Sequence, residues 1–202
     1  MSQAETPITN KPPQILESMN NKSAKKGRLA MWLFMLVLAL YLATRLIQLP
    51  KFPIYFFTDE AIQTQHAADL INNGYKDAQD VFLPTYFKNG GQYNLSLSVY
   101  AQVLPTLIFG KSIWVTRGVS VLLTLVAAVS LGLILRDSFH SRYWWLGPLL
   151  LATTPTWFLH SRTAFETVLM TSMYAGFLYF YLRYRRGHPA SLLIALVFGA
   201  LA

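Results

Sequence analysis

Apolar residues in this chain come in blocks of about 16 to 21, and at ~1.5 Å rise per helical residue such a block approaches the ~30 Å hydrocarbon thickness of a bilayer. The blocks fall at 29–49, 117–135, 143–159 and 164–182, and another opens at 190 and continues to 202. A soluble core does not require this segregation. Only 13% of the residues are charged, against roughly 25% in an average soluble domain. The pattern predicts an all-α, polytopic membrane helical bundle, with residues 29–202 as its transmembrane part.

Charge orients the bundle. The formal charge is +8, from 17 Lys and Arg against 9 Asp and Glu. The positive residues flank the apolar blocks, which is topological anchoring rather than a nucleic-acid surface. Trp114, Tyr143, Trp144, Trp145, Trp157 and Tyr184 stand near block ends, as an interfacial aromatic belt requires. Residues 1–28 are polar and carry Lys22, Lys25, Lys26 and Arg28, which predicts a disordered cytoplasmic tail. The first block is too long for the core of a secretory signal, and no small-x-small cleavage site follows it. It is therefore expected to remain as the first span.

Residues 50–116 form a long outer loop. Within it, Thr58 is placed to cap a short helix from Asp59 to Asn73, with Gly74 as its left-handed terminator. The stretch 95–109 is apolar but short and interrupted by Pro105, so it is expected to lie at the interface rather than cross. With 95–109 not crossing, the tail joins Arg136, Arg142, Arg183, Arg185 and Arg186 on the cytoplasmic side, in line with the positive-inside bias. The same count puts Asp59-Glu60 and the loop 160–166 together on the extracytoplasmic face. The last apolar run has no polar flank, which predicts that the chain is the N-terminal part of a longer one.

The ionisable residues of that outer face are the candidates for chemistry. Asp59 and Glu60 can be first-turn carboxylates favoured by the helix dipole, or a general base at the membrane surface. Arg162 and Glu166 stand four apart, either as an intrahelical ion pair or as a phosphate-binding cation with a second acid. Arg117 and Lys88 can also meet a phosphate, or serve as a snorkelling anchor and a solvated loop lysine respectively. Arg45 is most simply a snorkeller. The chain has no cysteine, so disulfides, thiolate nucleophiles and Cys-based metal sites are excluded. No cofactor is called for, although a divalent metal shared by Asp59 with His66 and His160 stays open.

Thr58-Asp59-Glu60-Ala61, the helix ending at Asn73-Gly74 and Leu83-Pro84-Thr85-Tyr86-Phe87 follow one another in the outer loop. After them come Tyr100, Phe109-Gly110-Lys111-Ser112, Arg117, Pro155 and the stretch from His160 to Glu166. This ordered set resembles the GT-C glycosyltransferases, most nearly the protein O-mannosyltransferase and aminoarabinose-transferase type, over residues 29–202. The resemblance implies a transferase that takes a sugar from a polyprenyl-phosphate donor to a protein, lipid or glycan acceptor on the extracytoplasmic face of the cell membrane. It implies Asp59 as the catalytic base with Glu60 beside it, and Glu166 at a position where the family often has Asp. It matches Arg162 to the phosphate-facing cation, with Lys88 and Arg117 as further substrate-binding positions and Tyr86 beside them. It also implies short interfacial helices in the first outer loop. The competing class is a membrane transporter or flippase, in which Arg162 and Glu166 would gate a polar path. Transporters place such residues nearer the bilayer midplane, whereas here they stand at the outer ends of spans.

Overall fold

The computed structural model describes residues 13–202, with side chains from Lys25 onward. Its first helix, α1 (Pro13–Leu46), contains the apolar stretch Lys25–Leu46, long and apolar enough to cross a membrane. The helix begins within the expected tail 1–28, at Pro13; residues 1–12 lie outside the described residues. The outer loop then builds α2 (Thr58–Asn72), a hairpin of β1 (Tyr86–Asn89) and β2 (Gln92–Leu95), and α3 (Ser96–Phe109). Behind it come α4 (Ile113–Asp137), α5 (Leu146–Thr153), α6 (Pro155–His160), α7 (Glu166–Arg185) and α8 (Ala190–Leu201).

The all-α membrane bundle is confirmed, with one small hairpin added by the outer loop. α4, the second helix long and apolar enough to cross, is central and packs against α1, α3, α5 and α7, while α8 lies along α7. Close approach is built in at Gly147 of α5, where a Cβ would come 2.9 Å from Leu135 Cδ1 and 3.3 Å from the backbone nitrogen of Gly132. Polar residues tie the bundle from within. The Tyr41 hydroxyl donates to Thr124 Oγ1 at 3.0 Å and accepts from Trp157 Nε1 at 2.9 Å, joining α1, α4 and α6.

The expected span 143–159 is not one helix. It breaks at Thr154, where ψ is 116°, into α5 and α6. Pro155 has no N–H to bond back and pushes the preceding residue out of the helical region. α3, in contrast, runs through Pro105 without a break, and its 14 residues cover only about 21 Å, too short to cross. It packs against α2 and α4.

The outer loop has its own small core. Ala67 and Leu70 of α2, Phe87 of β1 and Val99 of α3 are buried together, with Tyr100 and Val103 against them. The hairpin turn is Gly90-Gly91, and Gly90 takes φ +59°, the left-handed conformation a two-residue turn needs. α2 ends as expected, with Gly74 at φ +64°. It begins one residue earlier than expected, with Phe57 in the cap position, and the Phe57 N–H donates to Glu60 Oε1 at 3.4 Å.

Candidate active site

Asp59 and Glu60 are neighbours with opposite surroundings. On a helix, successive side chains point about 100° apart, so one can face solvent while the next faces the bundle. Asp59 is exposed and lines a cavity of about 300 Å3 between α2, the hairpin and the start of α7. Glu60 is fully buried. Its carboxylate accepts from Arg117 Nε at 2.9 Å through Oε2 and from Arg117 Nη2 at 3.1 Å through Oε1. Oε2 also accepts from the Ala164 N–H at 3.3 Å. Glu60 therefore clamps α2 to α4 and to the segment leading into α7. Its oxygens are committed to these donors and to the Phe57 N–H, unlike the free carboxylate that a catalytic base beside Asp59 would present.

Three arginines form a layer beneath the cavity, and each meets carbonyls that a helix end or a bend leaves without partners. Arg117 donates to the carbonyls of Leu49, Pro53 and Tyr55 in addition to Glu60. Arg162 donates to Thr44 and Ile47 at the end of α1 and twice to Phe52. Arg45 donates to Leu151 and Ala152 at the end of α5 and to Ser161 Oγ. A cation at a helix C-terminus is favoured by the dipole as well as by the hydrogen bonds. Burial first, and then Arg117 and Arg45 nearby, hold the Arg162 guanidinium below its ordinary pKa. With one carboxylate among three guanidiniums, the layer carries a net positive charge.

These geometries correct several sequence expectations. Arg162 and Arg117 are buried and occupied by main-chain carbonyls, so neither is open to a phosphate. Arg45 does not snorkel; it lies inside the bundle with Tyr41 beneath its guanidinium at 3.8 Å. The Arg162–Glu166 pair does not form, because α7 starts at Glu166 and leaves Arg162 outside the helix. Lys88 and Tyr86 line a second cavity, which Asp59 does not line.

Glu166 is the expected residue that the structure does bring to Asp59, from more than 100 positions along the chain. It opens α7, and it lines the same cavity. The Glu166 carboxylate lies against the Leu95 backbone and the Asn94 side chain of the hairpin, its Oε1 is buried with no well-aligned hydrogen-bond partner, and the same holds for Oε1 of Gln63, also in the cavity wall. Asp59 makes no ion pair among the described residues. The cavity thus presents two carboxylates together with the side chains of Gln63, Asn89, Gln92 and Asn94, which both donate and accept, and no lysine or arginine lines it. Such a wall suits a ligand rich in hydroxyls. Gln63 was missed in sequence because it shows only as a polar residue one helical turn after Asp59; that i, i+4 spacing was the available signal. Tyr93 and Asn94 of β2 complete the wall, and nothing in sequence marked the strand that carries them.

A metal shared by Asp59, His66 and His160 finds no support in the geometry. No three His, Cys, Asp or Glu side chains among the described residues converge on a point that would hold an ion. His66 instead stacks on Phe87 with ring centroids 5.2 Å apart, and His160 lies against Phe165 at 6.1 Å.

Comparison with known protein families gives one match. The family described as dolichyl-phosphate-mannose-protein mannosyltransferase matches residues 97–202, just over half of the chain. The matched part contains Arg117, Arg162 and Glu166 and leaves out Asp59, Glu60 and the first part of the outer loop. No curated protein and no solved structure matches the chain.

Proposed function

The chain belongs to the dolichyl-phosphate-mannose-protein mannosyltransferase family, a GT-C type of membrane glycosyltransferase, and from that premise we propose that Asp59 is the general base of sugar transfer from a polyprenyl-phosphate donor. The observation that carries this reading is the cavity shared by Asp59 and Glu166, with two buried acceptor oxygens that have no well-aligned partner. The acceptor is a hydroxyl or amine of a protein, lipid or glycan, and the reaction takes place on the extracytoplasmic face of the cell membrane. The chain is a multi-pass protein in this reading, with its N-terminus in the cytoplasm.

The chemistry follows from what each group offers. A sugar's hydroxyls donate to Gln63 Oε1 and Glu166 Oε1, which fixes the ring. The acceptor nucleophile gives its proton to the Asp59 carboxylate as it attacks the anomeric carbon, and the bond from that carbon to the polyprenyl phosphate breaks. Phosphate is a good leaving group and needs charge stabilisation more than an acid. The cavity wall itself has no cation, so stabilisation comes from the buried arginine layer and from the free N–H groups of the first turn of α7, whose cap position Phe165 supplies no side-chain acceptor. Glu60 positions Asp59 and Glu166 relative to one another through Arg117 and the Ala164 N–H and takes no proton.

The test is turnover. Purified full-length protein incubated with a panel of polyprenyl-phosphate sugars is expected to release polyprenyl phosphate from at least one donor, slowly to water and faster with acceptor. Movement of an intact lipid-linked sugar across a vesicle membrane with no release of phosphate would overturn the transferase reading.

A further inference from the structure

The hairpin has two working faces. In the β1–β2 register, Phe87 pairs with Asn94 and Lys88 with Tyr93. Phe87 and Asn94 face inward, where Phe87 joins the loop core and Asn94 the Asp59 cavity. Tyr86, Lys88 and Tyr93 lie outward and line a second cavity, also about 300 Å3, closed on its other side by Asp77, Gln79 and Pro84. Tyr93 borders both cavities, so the two adjoin across a single side chain.

The second cavity is unlike a protein interior left open. Tyr86 and Tyr93 are 59% and 64% exposed, and their rings meet edge to face at 5.0 Å. Lys88 has no ion-pair partner among the described residues. Asp77 is held in place, since its Oδ1 accepts from the N–H groups of Gln79 and Val81 at 2.9 and 2.8 Å. The cavity therefore combines exposed ring surface with one cation, one fixed carboxylate and one amide. A pyranose has the complementary surface: apolar C–H faces that lie on rings and hydroxyls around its rim that bond to charged and amide groups. A peptide would call for a run of main-chain partners or an apolar groove, and the lining supplies neither.

We infer that this cavity, lined by Tyr86, Lys88, Tyr93 and Asp77, binds a saccharide unit of the acceptor and presents its neighbouring hydroxyl to Asp59 past Tyr93. The inference rests on the transferase reading and narrows its acceptor to a glycan-bearing molecule. It also gives Tyr86 and Lys88 a substrate-binding role different from donor phosphate recognition.

Saturation-transfer NMR on the full-length chain in nanodiscs, with soluble disaccharides of mannose, glucose and N-acetylglucosamine and no donor present, tests it. Transfer to the C–H protons of at least one disaccharide is expected, with affinity lowered at least about tenfold by Tyr86→Ala and measurably by Lys88→Gln. Lys88 is exposed on the hairpin surface, so its variant keeps the test intact if Tyr86→Ala fails to fold. Absence of transfer to every disaccharide overturns the inference, as does binding that neither variant weakens. Saturation transfer to an unglycosylated Ser/Thr peptide and to no disaccharide would overturn it and assign the cavity to a protein acceptor. Saccharide binding without turnover of any polyprenyl-phosphate sugar would leave this site standing and remove the transferase reading. Turnover to water without saccharide binding would do the reverse.

Discussion

The polar cavity and the arginine layer beneath it are joined by one peptide bond, between Asp59 and Glu60, and they are built on opposite rules. In the layer every named charge is answered: Glu60 by Arg117, and the three guanidiniums by the carbonyl ends of α1 and α5 and the bend at 49–55. In the cavity two polar atoms are left open, Gln63 and Glu166 each holding a buried oxygen without a well-aligned partner. A buried, fully paired network fixes geometry, and an unpaired one waits for a ligand. The contrast separates support from chemistry without reference to any other protein.

That separation predicts a graded set of failures. The largest belongs to the layer. Arg117→Ala leaves Glu60 as an unpaired buried charge and three carbonyls without donors, and is expected to destabilise the protein by about 3–5 kcal/mol. Thermal unfolding in detergent, read by intrinsic fluorescence, would show it. A melting temperature equal to wild type would mean that the ion pair is not buried in the membrane-embedded protein. Arg162→Lys is next. A lysine cannot span the carbonyls of Thr44, Ile47 and Phe52 together, so about 1–3 kcal/mol is expected to be lost, with the α1 end fraying in hydrogen exchange.

Glu166→Gln sharpens the comparison from the cavity side. It is expected to leave the unfolding temperature nearly unchanged and to raise the KM for the sugar donor, because an amide keeps one acceptor oxygen and loses the charge. Single cysteines at the exposed positions 75 and 160 should both label from outside, and one at 187 should not; labelling of 75 and 160 from opposite sides would separate the two halves of the cavity. The smallest expected effect is a pH dependence in the outer loop. Burial, opposed by Asp69 and Asp77, holds the His66 pKa below its ordinary 6.5, and its Nε2 is buried without a partner. The unfolded loop binds the proton more readily than the folded one. Stability from neutral His66 is thus complete above pH ~6.5 and lost as pH falls through the lower folded value. Hydrogen exchange in α2 and the hairpin should quicken over that window, and His66→Phe should flatten the response.

Much of the frame was legible in sequence, and particular residues show why. Block length was enough to predict a helical membrane bundle and the short helix over 95–109, because hydrophobic length acts locally. Pro155 could have signalled the break in 143–159, but the apolar run outweighed it. The roles of Arg45, Arg117 and Arg162 were not legible. An arginine at the lip of a span looks the same in sequence whether it snorkels, binds a phosphate or closes a distant helix end, and its main-chain partners here lie 62 to 118 residues away. Asp59 and Glu60 could not be told apart either, since only the tertiary placement of α2, with Arg117 of α4 on its inner side, decides which carboxylate faces inward.

The central claim is that these two adjacent acids have separate functions, one catalytic and one structural. The most direct measurement is sugar transfer and thermal unfolding on the same preparation of full-length Asp59→Asn. The account predicts a fall in transfer of about 10²- to 10⁴-fold, the usual contribution of a general base, with unfolding within ~0.5 kcal/mol of wild type. Transfer at the wild-type rate, or a loss of transfer that tracks unfolding, would contradict it.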